Sequence, residues 1–538
     1  MKRLLLLLLV TVFALTLFAS CGKTKYTALD TDVVGELSVM LWSGDGSYIE
    51  DIGHKDFAPE ELLSQNIAAT YAVAKAFNQI YPNVKINVYA KSGGPDDNDI
   101  PWAQELENFK AEHGSYPSLY ASTDVVGDIS KGLIADLSIF KDDPMYKSFN
   151  ESVMNMMNFY GFQGGLPQYL LPWGVYINKS LAEDNNIDIP DPDWTIDDYA
   201  NFVKQANMKD FYGAMDVPLS FIETGTKSIN YMMAKHDGKG DYVNLNSDEV
   251  KSLINYIPEL AKTAVWPQND LGNIPSEVMD ENGWWSFNFF INNKLLTLDG
   301  DPWMMGDAAN SNPEHWGRVK ADDWDIYPRP ATDYQPCTVG VVLDPFVIYN
   351  YALDDGNPEL SDEEYNKLKL AYTFATFWVG DTRAWQARAD QMFNDNGQLK
   401  TCLNDSFPFV TGEEFNKQME IWYSTETHKR FADKNKMPGF HKVLEIWEKG
   451  QFWDISDKSY PFYHDFEGSR RENLYEWKNY WNPEITGAMR TDANFVDVLK
   501  SKLNDWNIAS NNRFRESDQR LRDALKKYYN YTDSDFNK

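Results

Sequence analysis

An alternation of strand-like and helix-like segments is the feature that most restricts how this chain can fold. Residues 36–42 alternate between apolar and polar side chains, which predicts a strand that ends at a Ser-Gly-Asp-Gly loop. Apolar residues with helical spacing follow between residues 67 and 80, and residues 84–89 again alternate strictly. Strands separated by helices of about 10 to 15 residues form βαβ units, so the sequence predicts an α/β fold with a mostly parallel sheet.

The later segments extend this pattern and predict a second sheet. Residues 169–178 have the composition of chain that crosses from one sheet into another, and residues 294–298 form a further strand-like segment. The chain is extended again between residues 324 and 350, whereas almost everything beyond residue 361 favours helix or loop. We therefore predict two α/β lobes with several crossings between them, followed by an extended helical C-terminal region.

The first residues predict export. Two cations at residues 2–3 precede an apolar run over residues 4–18 and the small residues before Cys21. This run falls short of the roughly 20 apolar residues that span a membrane, and the arrangement is typical of a secretory signal. The segment resembles a bacterial lipoprotein signal, which implies cleavage after residue 20, lipidation of Cys21 and a tether over residues 21–35. The alternative is a plain signal peptide in which Cys21 occurs by chance.

The charge of the chain argues against nucleic acid as a partner. Across 538 residues the formal net charge is −31, and phosphate backbones are bound through Lys and Arg. A chain of this length accommodates two or three domains of about 100 to 200 residues each. No later stretch approaches the length of a membrane-spanning apolar segment, so we expect the body of the protein to be soluble.

Motifs for catalysis and for metal binding are missing from the sequence. It contains no GxSxG elbow, phosphate-binding loop, GxGxxG after a strand or HExxH motif. A glycosidase needs only two carboxylates, and the 81 acidic residues leave that possibility open without favouring any pair. Three cysteines and seven histidines form no zinc pattern, and we predict neither metal nor cofactor. Cys337 and Cys402 can pair in an oxidising compartment or remain free thiols, and the sequence leaves both open.

Aromatic residues at the ends of predicted strands are the main positive sign of function. Phe, Trp and Tyr make up 14% of the chain, with 18 tryptophans. The strand-end sets are residues 42–45, 123–124 and 299–303, which combine Trp with Ser, Gly, Thr and Asp. Ligands of open α/β sheets bind outside the carboxyl ends of the strands, where a flat aromatic face and neighbouring polar groups suit a sugar ring. Core packing explains most tryptophans in any protein, so each position alone stays open between a ligand contact and a core residue.

Several short sequence blocks follow one another along the chain, each at one position. They are Leu-Trp-Ser-Gly at 41–44, the helix at 72–77 with Tyr-Pro-Asn-Val at 81–84, the strand and turn at 119–124 with 132–137, the crossing at 175–181, Trp-Thr-Ile-Asp-Asp-Tyr at 194–199 and the strand end at 298–304. This order resembles that of extracellular solute-binding proteins of bacterial ABC importers. Within them it is most similar to the carbohydrate-type, maltose-binding-protein-like proteins of family 1. The resemblance covers residues 36 to 390 well and the C-terminal third weakly.

This resemblance implies a two-lobed, periplasmic-binding-protein-like fold of type II, in which hinge strands join the lobes and the ligand is held in the cleft between them. Lobe 1 would comprise residues 36–165 and about 340–390, and lobe 2 would comprise residues about 166–339 and 391–538 with the C-terminal helices. By position, the family's ligand contacts would fall on Trp42, Ser43, Gly44, Asp45, Thr123 and Asp124 in the first lobe, and on Trp173, Tyr176, Trp303 and Gly340 in the hinge and second lobe. Gly340 would let the backbone approach the ligand.

The resemblance also implies a function. We expect a monomeric, lipid-anchored receptor on the outer face of the bacterial cell membrane that captures a carbohydrate, most simply an oligosaccharide, and delivers it to the permease of an ABC transporter. Such a receptor makes no covalent change to its ligand, so we do not expect an enzyme. Two alternatives remain open: a secreted carbohydrate-active enzyme with a similar aromatic cleft, and the same fold binding a non-sugar solute such as a peptide or a phosphate ester.

Overall fold

A computed structural model describes most of the chain, and the whole of the predicted signal at residues 1–20 lies outside the described residues. The described residues are 26–42, 47–91, 102–207, 210–215, 242, 244, 246–261, 264–265, 286–299, 324–395, 397–403, 406–425, 428–454 and 495–537. The predictions of a signal peptide and of lipidation at Cys21 therefore concern residues outside the described ranges, as do those for Ser43, Gly44, Asp45 and Trp303.

The strands of the described ranges vary from two to ten residues in length. In chain order they are β1 (Gly35–Trp42), β2 (Tyr48–Ile49), β3 (Val84–Lys91), β4 (Leu119–Ala121), β5 (Asn158–Phe159), β6 (Phe162–Gln163), β7 (Leu166–Trp173), β8 (Val175–Asn178), β9 (Ala214–Met215), β10 (Ala264–Val265), β11 (Thr297–Asp299), β12 (Trp324–Tyr327), β13 (Val339–Ile348), β14 (Met392–Asp395), β15 (Gln398–Thr401) and β16 (Phe452–Asp454).

The helices are mostly short, with one exception at the C-terminus. They are α1 (Gln65–Asn78), α2 (Trp102–His113), α3 (Val125–Ser130), α4 (Pro144–Ser148), α5 (Glu151–Asn155), α6 (Lys179–Asp184), α7 (Ile196–Val203), α8 (Asp248–Ile254), α9 (Ile257–Ala261), α10 (Ser286–Ile291), α11 (Asp362–Gly380), α12 (Thr382–Asp390), α13 (Glu413–Ser424), α14 (Pro438–Glu448) and α15 (Phe495–Tyr529). Short 3-10 turns lie at Ile52–His54, Pro59–Glu61, Leu137–Phe140, Tyr351–Leu353, Lys429–Ala432 and Asp535–Asn537. Among the described helices, none combines the length and the apolar character needed to cross a membrane.

The first sheet has the predicted βαβ units, but three of its six described strand pairings are antiparallel, so the prediction of a mostly parallel sheet is only partly right. Its strand order is β16-β13-β4-β1-β3-β2, with β7 paired to β13. β1 runs parallel to β3 and β4, whereas β13 runs antiparallel to β4 and β7. Helix α1 covers this sheet, because its apolar face, which includes Val73 and Phe77, joins Leu37 and Val39 of β1 in one hydrophobic cluster.

The second sheet is smaller, and the chain crosses into it at Gly174. β8 lies between β11 and β12 and is antiparallel to both. The chain enters it directly from β7 through Gly174 and returns through residues 328–338 to β13. A Cβ atom at Gly174 would lie 2.2 Å from the carbonyl oxygen of Tyr327. Only glycine therefore allows these two segments to approach so closely. The crossing predicted over residues 169–178 is confirmed.

The long helix α15 packs against two separate parts of the chain. Leu521, near its C-terminal end, joins Tyr120 of β4 in a second hydrophobic cluster. Further up the helix, Asn511 Oδ1 accepts the backbone N–H of Tyr242 at 2.6 Å. The predicted division assigned all of residues 391–538 to the second lobe. The end of α15 instead lies on the first sheet, because its apolar side chains complete the cluster there.

The two cysteines of the described ranges are free thiols. Cys337 and Cys402 are both buried and neither forms a disulfide. Burial raises the pKa of Cys337 to about 11, so its thiol stays protonated at neutral pH. Of the two possibilities that the sequence left open, the structure has the free thiols.

Candidate functional site

Two of the predicted strand ends meet at the carboxyl edge of the first sheet. β1 ends at Trp42, and the parallel strand β4 ends one residue before Ser122. The register pairs Met40 with Tyr120, so Trp42 and Ser122 stand at the same level on neighbouring strands, which are spaced about 4.8 Å apart. The structure thus brings Trp42 next to the turn formed by residues 123–124.

Asp124 has a structural role in that turn. Its Oδ1 accepts the backbone N–H of Gly127 at 2.8 Å and so caps the start of α3. Its own backbone N–H donates to Ser122 Oγ at 3.1 Å, and both Thr123 and Asp124 are half-buried. Because N-cap residues stabilise helix starts, a change at Asp124 would alter the shape of the turn as well as any contact with a ligand.

Asp128 supports the same turn and was not predicted from the sequence. Its side chain is buried, and its carboxylate accepts the hydroxyl of Ser122 at 2.8 Å. Burial, together with the nearby charge of Asp124, raises the pKa of Asp128 to about 6. Ser122 therefore links a buried carboxyl group to the backbone of the turn. The available signal was the spacing of four residues between Asp124 and Asp128, which places both on one side of a helix.

A pair of hydrogen bonds, here called the Asn66–Tyr169 relay, joins the end of β1 to strand β7. The side-chain amide of Asn66, in the first turn of α1, donates to the carbonyl oxygen of Trp42. The hydroxyl of Tyr169 donates to Asn66 Oδ1 at 2.6 Å, and Tyr169 itself is buried. The relay was not predicted, because the two side chains are 103 positions apart in sequence and belong to no common motif.

Strands β7 and β13 share one face that is partly accessible, here called the hinge face. Its paired residues are Trp173 with Gly340, Leu171 with Val342, and Tyr169 with Asp344. Directly opposed residues point to the same side of a sheet. Trp173, Val342 and Asp344 are partly exposed, whereas the alternate residues of β13, such as Val341, are completely buried. The hinge face therefore combines an aromatic ring, a glycine and a carboxylate. Asp344 was not predicted, although the alternation along β13 was a signal for it.

Lys91 brings a positive charge to the carboxyl edge of the first sheet. It is the last residue of β3 and the backbone partner of Trp42. Its side chain is 0% exposed, which is rare for lysine. Sequence reasoning missed it, because a lysine at the end of a strand is normally a solvent-exposed residue.

Tyr176, predicted as a ligand contact, lies in the core of the second sheet. Its side chain is 1% exposed. The centroid of its ring is 5.6 Å from that of Trp324 and 6.1 Å from that of Phe290. All residues of β8 are buried, because β8 is the central strand of its sheet. In this conformation Tyr176 is a packing residue and does not reach the hinge face.

The second-lobe side of the predicted site is described only as far as the end of β11. That strand ends at Asp299, whose backbone partner is Val175. Trp303 follows outside the described residues, so its contact with a ligand stays a prediction. Within the described ranges, no group of three His, Cys, Asp or Glu side chains is arranged to hold a metal ion.

Comparison with known proteins identifies the fold. No protein-family model and no curated protein matches the sequence. Among solved structures, a sugar transporter from Rhizobium etli in an open conformation matches 88% of this chain and 99% of that chain, with 16% identity and a TM-score of 0.54. An ABC substrate-binding protein from Listeria monocytogenes in complex with cycloalternan matches 92% of this chain and 100% of that chain, with 14% identity and a TM-score of 0.49. A family 1 extracellular solute-binding protein from Bifidobacterium longum subsp. infantis matches 89% of this chain and 99% of that chain, with 13% identity and a TM-score of 0.48.

These likenesses differ in what they establish. The Rhizobium etli structure confirms the predicted fold class, which is the two-lobed α/β fold of solute-binding proteins. An identity of 16% fixes the architecture and leaves the ligand open. The Listeria and Bifidobacterium structures superpose less closely and add no independent argument.

Proposed function

We propose that this chain, which has the two-lobed fold of solute-binding proteins, belongs to the family 1 carbohydrate-binding proteins and captures a carbohydrate, most simply an oligosaccharide, for an ABC importer. The observation that carries the proposal is that the carboxyl edge of the first sheet adjoins the hinge face. The Asn66–Tyr169 relay connects these two surfaces, and we infer that Trp42 and Trp173 border one region between the two sheets. Open α/β sheets bind their ligands at the carboxyl ends of their strands.

The chemistry of these two surfaces supports a sugar as the ligand. The partly exposed indole rings of Trp42 and Trp173 offer flat faces to the C–H groups of a pyranose. Asp344 and Thr123 offer oxygen atoms to its hydroxyl groups, and hydrogen bonds to a carboxylate are roughly twice as strong as neutral ones. The Rhizobium etli protein is described as a sugar transporter, which supports the same class of ligand.

The proposed ligand contacts are those implied by the resemblance, with two changes. They are Trp42, Ser43, Gly44, Asp45, Thr123, Asp124, Trp173, Trp303, Gly340 and, in addition, Asp344. Asp344 is added because it is partly exposed on the same face as Trp173. Tyr176 is removed because its side chain is buried in the second sheet.

Closure of the two lobes on the ligand would distinguish the loaded protein from the empty one. The crossing at Gly174 joins the sheets, and β13 returns beside it, so rotation about these strands would move one sheet relative to the other. A ligand that contacts both lobes favours the closed state by the difference between its affinities for the two states. We infer that the protein makes no covalent change and transfers the intact solute to a permease.

The cellular setting is part of the same proposal. The predicted secretory signal at residues 1–20 supports export. Lipidation of Cys21 would tether the receptor to the outer face of the cell membrane, close to the permease, through the tether of residues 21–35. We propose that it acts there as a monomer, because one two-lobed chain contains both halves of the binding cleft.

Incubation of the purified protein with pools of oligosaccharides tests the proposal. A bound sugar should raise the melting temperature, since a ligand that binds only the native state stabilises it by RT ln(1 + [L]/Kd). Chromatography of the same mixtures should recover the oligosaccharides unchanged. New products would instead establish a carbohydrate-active enzyme, and stabilisation by peptides or phosphate esters alone would establish a non-sugar solute.

A further inference from the structure

Arg388 is a buried cation without a carboxylate partner among the described residues. It lies on α12 and is 1% exposed. Its Nη1 donates to Ser406 Oγ at 2.7 Å and its Nη2 donates to the carbonyl oxygen of Trp378 at 3.3 Å. Its Nε–H has no hydrogen-bond partner. The ionisable groups that act on it are Tyr169 and Cys402, and both of these side chains are neutral at neutral pH.

Arg388 lines a small recess whose unsatisfied polar atoms are hydrogen-bond donors. Gln168 of β7 lines it too, is 4% exposed, and has an Nε2 without a partner. Ser406 is a third polar wall residue. Because its Oγ already accepts from Arg388, its own proton is available to an acceptor. The apolar part of the wall includes Trp385 and Phe407.

The positive charge in this recess is only partly compensated by the surrounding protein. The guanidinium carbon of Arg388 lies 4.8 Å from the ring centroid of Trp385 and 5.9 Å from that of Trp378, and such contacts stabilise a cation in part. Burial lowers the pKa of Arg388 to about 10, so the group stays charged at neutral pH. A buried charge and buried donors are unfavourable unless another group compensates them. The chain has 81 acidic residues, yet none of those described is placed here.

We propose that the recess binds one small monoatomic anion, chloride in a physiological medium, held by Arg388 Nε, Gln168 Nε2 and the hydroxyl of Ser406. The recess is small, which favours a monoatomic anion over the larger phosphate, sulfate and carboxylate groups. A water molecule has a suitable size, but it must also donate its own two protons. Among the lining side chains, the unsatisfied buried atoms are donors only, and a set of donors suits an anion.

The bound anion would connect strand β7 to the elements behind it. Gln168 belongs to β7, Arg388 to α12, and Ser406 forms a backbone bridge with Leu170. Successive residues of a strand point to opposite faces, so Gln168 points away from the hinge face that carries Tyr169. Tyr169 does act on Arg388 electrostatically, but none of the three proposed anion ligands is among the proposed sugar contacts, so the anion site does not depend on the function proposed above.

Melting temperatures at constant ionic strength test the proposal on the full chain. The protein is dialysed against sodium gluconate, and the gluconate is then replaced stepwise by sodium chloride. We expect a rise in melting temperature that saturates at about 2 °C or more, because the anion binds the native state alone. Sodium bromide should reproduce the rise and sodium sulfate should not. Equal melting temperatures in chloride and in gluconate would overturn the proposal.

A matched pair of variants locates the effect. Gln168→Glu places a carboxylate beside Arg388 in the position of the anion, so the chloride dependence should disappear. Gln104→Glu makes the same change on the exposed surface of α2, and the chloride dependence should remain. A Gln168→Glu protein that still responds to chloride would contradict the site.

Crystals of the unaltered protein grown in sodium bromide decide the question independently of how the variants fold. An anomalous peak within hydrogen-bond distance of Arg388 Nε and Gln168 Nε2 would support the site. Density for water without an anomalous signal would refute it.

Discussion

Replacing Tyr169 by Phe tests whether the Asn66–Tyr169 relay positions the binding edge of the first sheet. The change removes one hydroxyl group and keeps the aromatic ring. That hydroxyl donates to Asn66 Oδ1 at 2.6 Å, and the amide of Asn66 in turn holds the carbonyl oxygen of Trp42. We therefore expect Tyr169→Phe to loosen Asn66 and, through it, the end of β1.

The expected magnitude follows from the loss of one largely buried hydrogen bond. Such a bond contributes about 0.5 to 1.5 kcal/mol net, and an acceptor left without its partner adds a desolvation cost. The free energy of unfolding should therefore fall by about 1 to 2 kcal/mol. We assume that the end of β1 must be ordered before a sugar binds. If the free energy that favours this ordered conformation falls by about 1 kcal/mol, Kd rises about fivefold, since 1.4 kcal/mol corresponds to a factor of ten.

Calorimetric titration with the best oligosaccharide of the binding screen, together with thermal unfolding, measures both effects. The matched control is Tyr372→Phe, which deletes a fully buried hydroxyl that donates to the Asp143 carboxylate at 2.8 Å. A bond to a charged acceptor contributes more, so the control should lose at least as much stability while Kd changes by less than about twofold. Equal changes of Kd in the two variants, or none in either, would refute a positioning role for the relay.

Three further outcomes are expected. Trp173→Ala should raise Kd at least tenfold, because an aromatic contact adds about 0.5 to 1.5 kcal/mol beyond the area it buries. The control Tyr334→Ala, which changes an exposed aromatic residue, should leave Kd unchanged in the same titration. The carboxyl of Asp128 has a pKa of about 6 when folded and about 3.9 when unfolded. The folded state thus binds this proton more tightly, so stability falls as the pH rises between these values, and Asp128→Asn should flatten that part of the melting profile. Cys21→Ser should release the protein from membranes or block its maturation, since stable attachment needs two lipid groups; membrane fractionation like that of the parent would contradict lipidation.

The alternation and helical spacing of short segments were sufficient to predict the parallel part of the first sheet. The alternation over residues 36–42 predicted a strand, and the structure has β1 at Gly35–Trp42. The apolar spacing between residues 67 and 80 predicted a helix, and the structure has α1 at Gln65–Asn78. Each of these elements is specified by its own periodicity, which is a local property of the chain. Two strands separated by a helix then leave a parallel pair as the favoured arrangement.

The supports of the site could not be predicted in this way, because they depend on contacts between distant positions. Asn66 and Tyr169 are 103 positions apart, and Arg388 and Gln168 come from different elements that meet only in the folded chain. Periodicity indicates which side of a strand is buried. It does not indicate which side chain of another element packs against that side. Lys91 shows the same limit, since a charged residue at a strand end gives no local sign that it becomes fully buried.

Trp173 and Tyr176 show that the position of an aromatic residue within its strand decides between a binding and a packing role. The resemblance assigned both to the ligand. Trp173 is the last residue of β7, and its partner across the ladder is Gly340, which has no side chain to cover the ring. Tyr176 lies inside a central strand, where Trp324 and Phe290 pack against its ring. An aromatic residue at the end of a strand and opposite a glycine is therefore the better candidate for a ligand contact.

The same reasoning leads to a test at Gly340. Residues opposite one another in a ladder share a face of the sheet, and neighbouring strands are spaced about 4.8 Å apart. A side chain added at Gly340 would therefore stand beside the ring of Trp173, its partner on β7. Gly340→Val should cover that ring and weaken binding; unchanged affinity in the Gly340→Val protein, once it is shown to be folded, would remove this segment from the site.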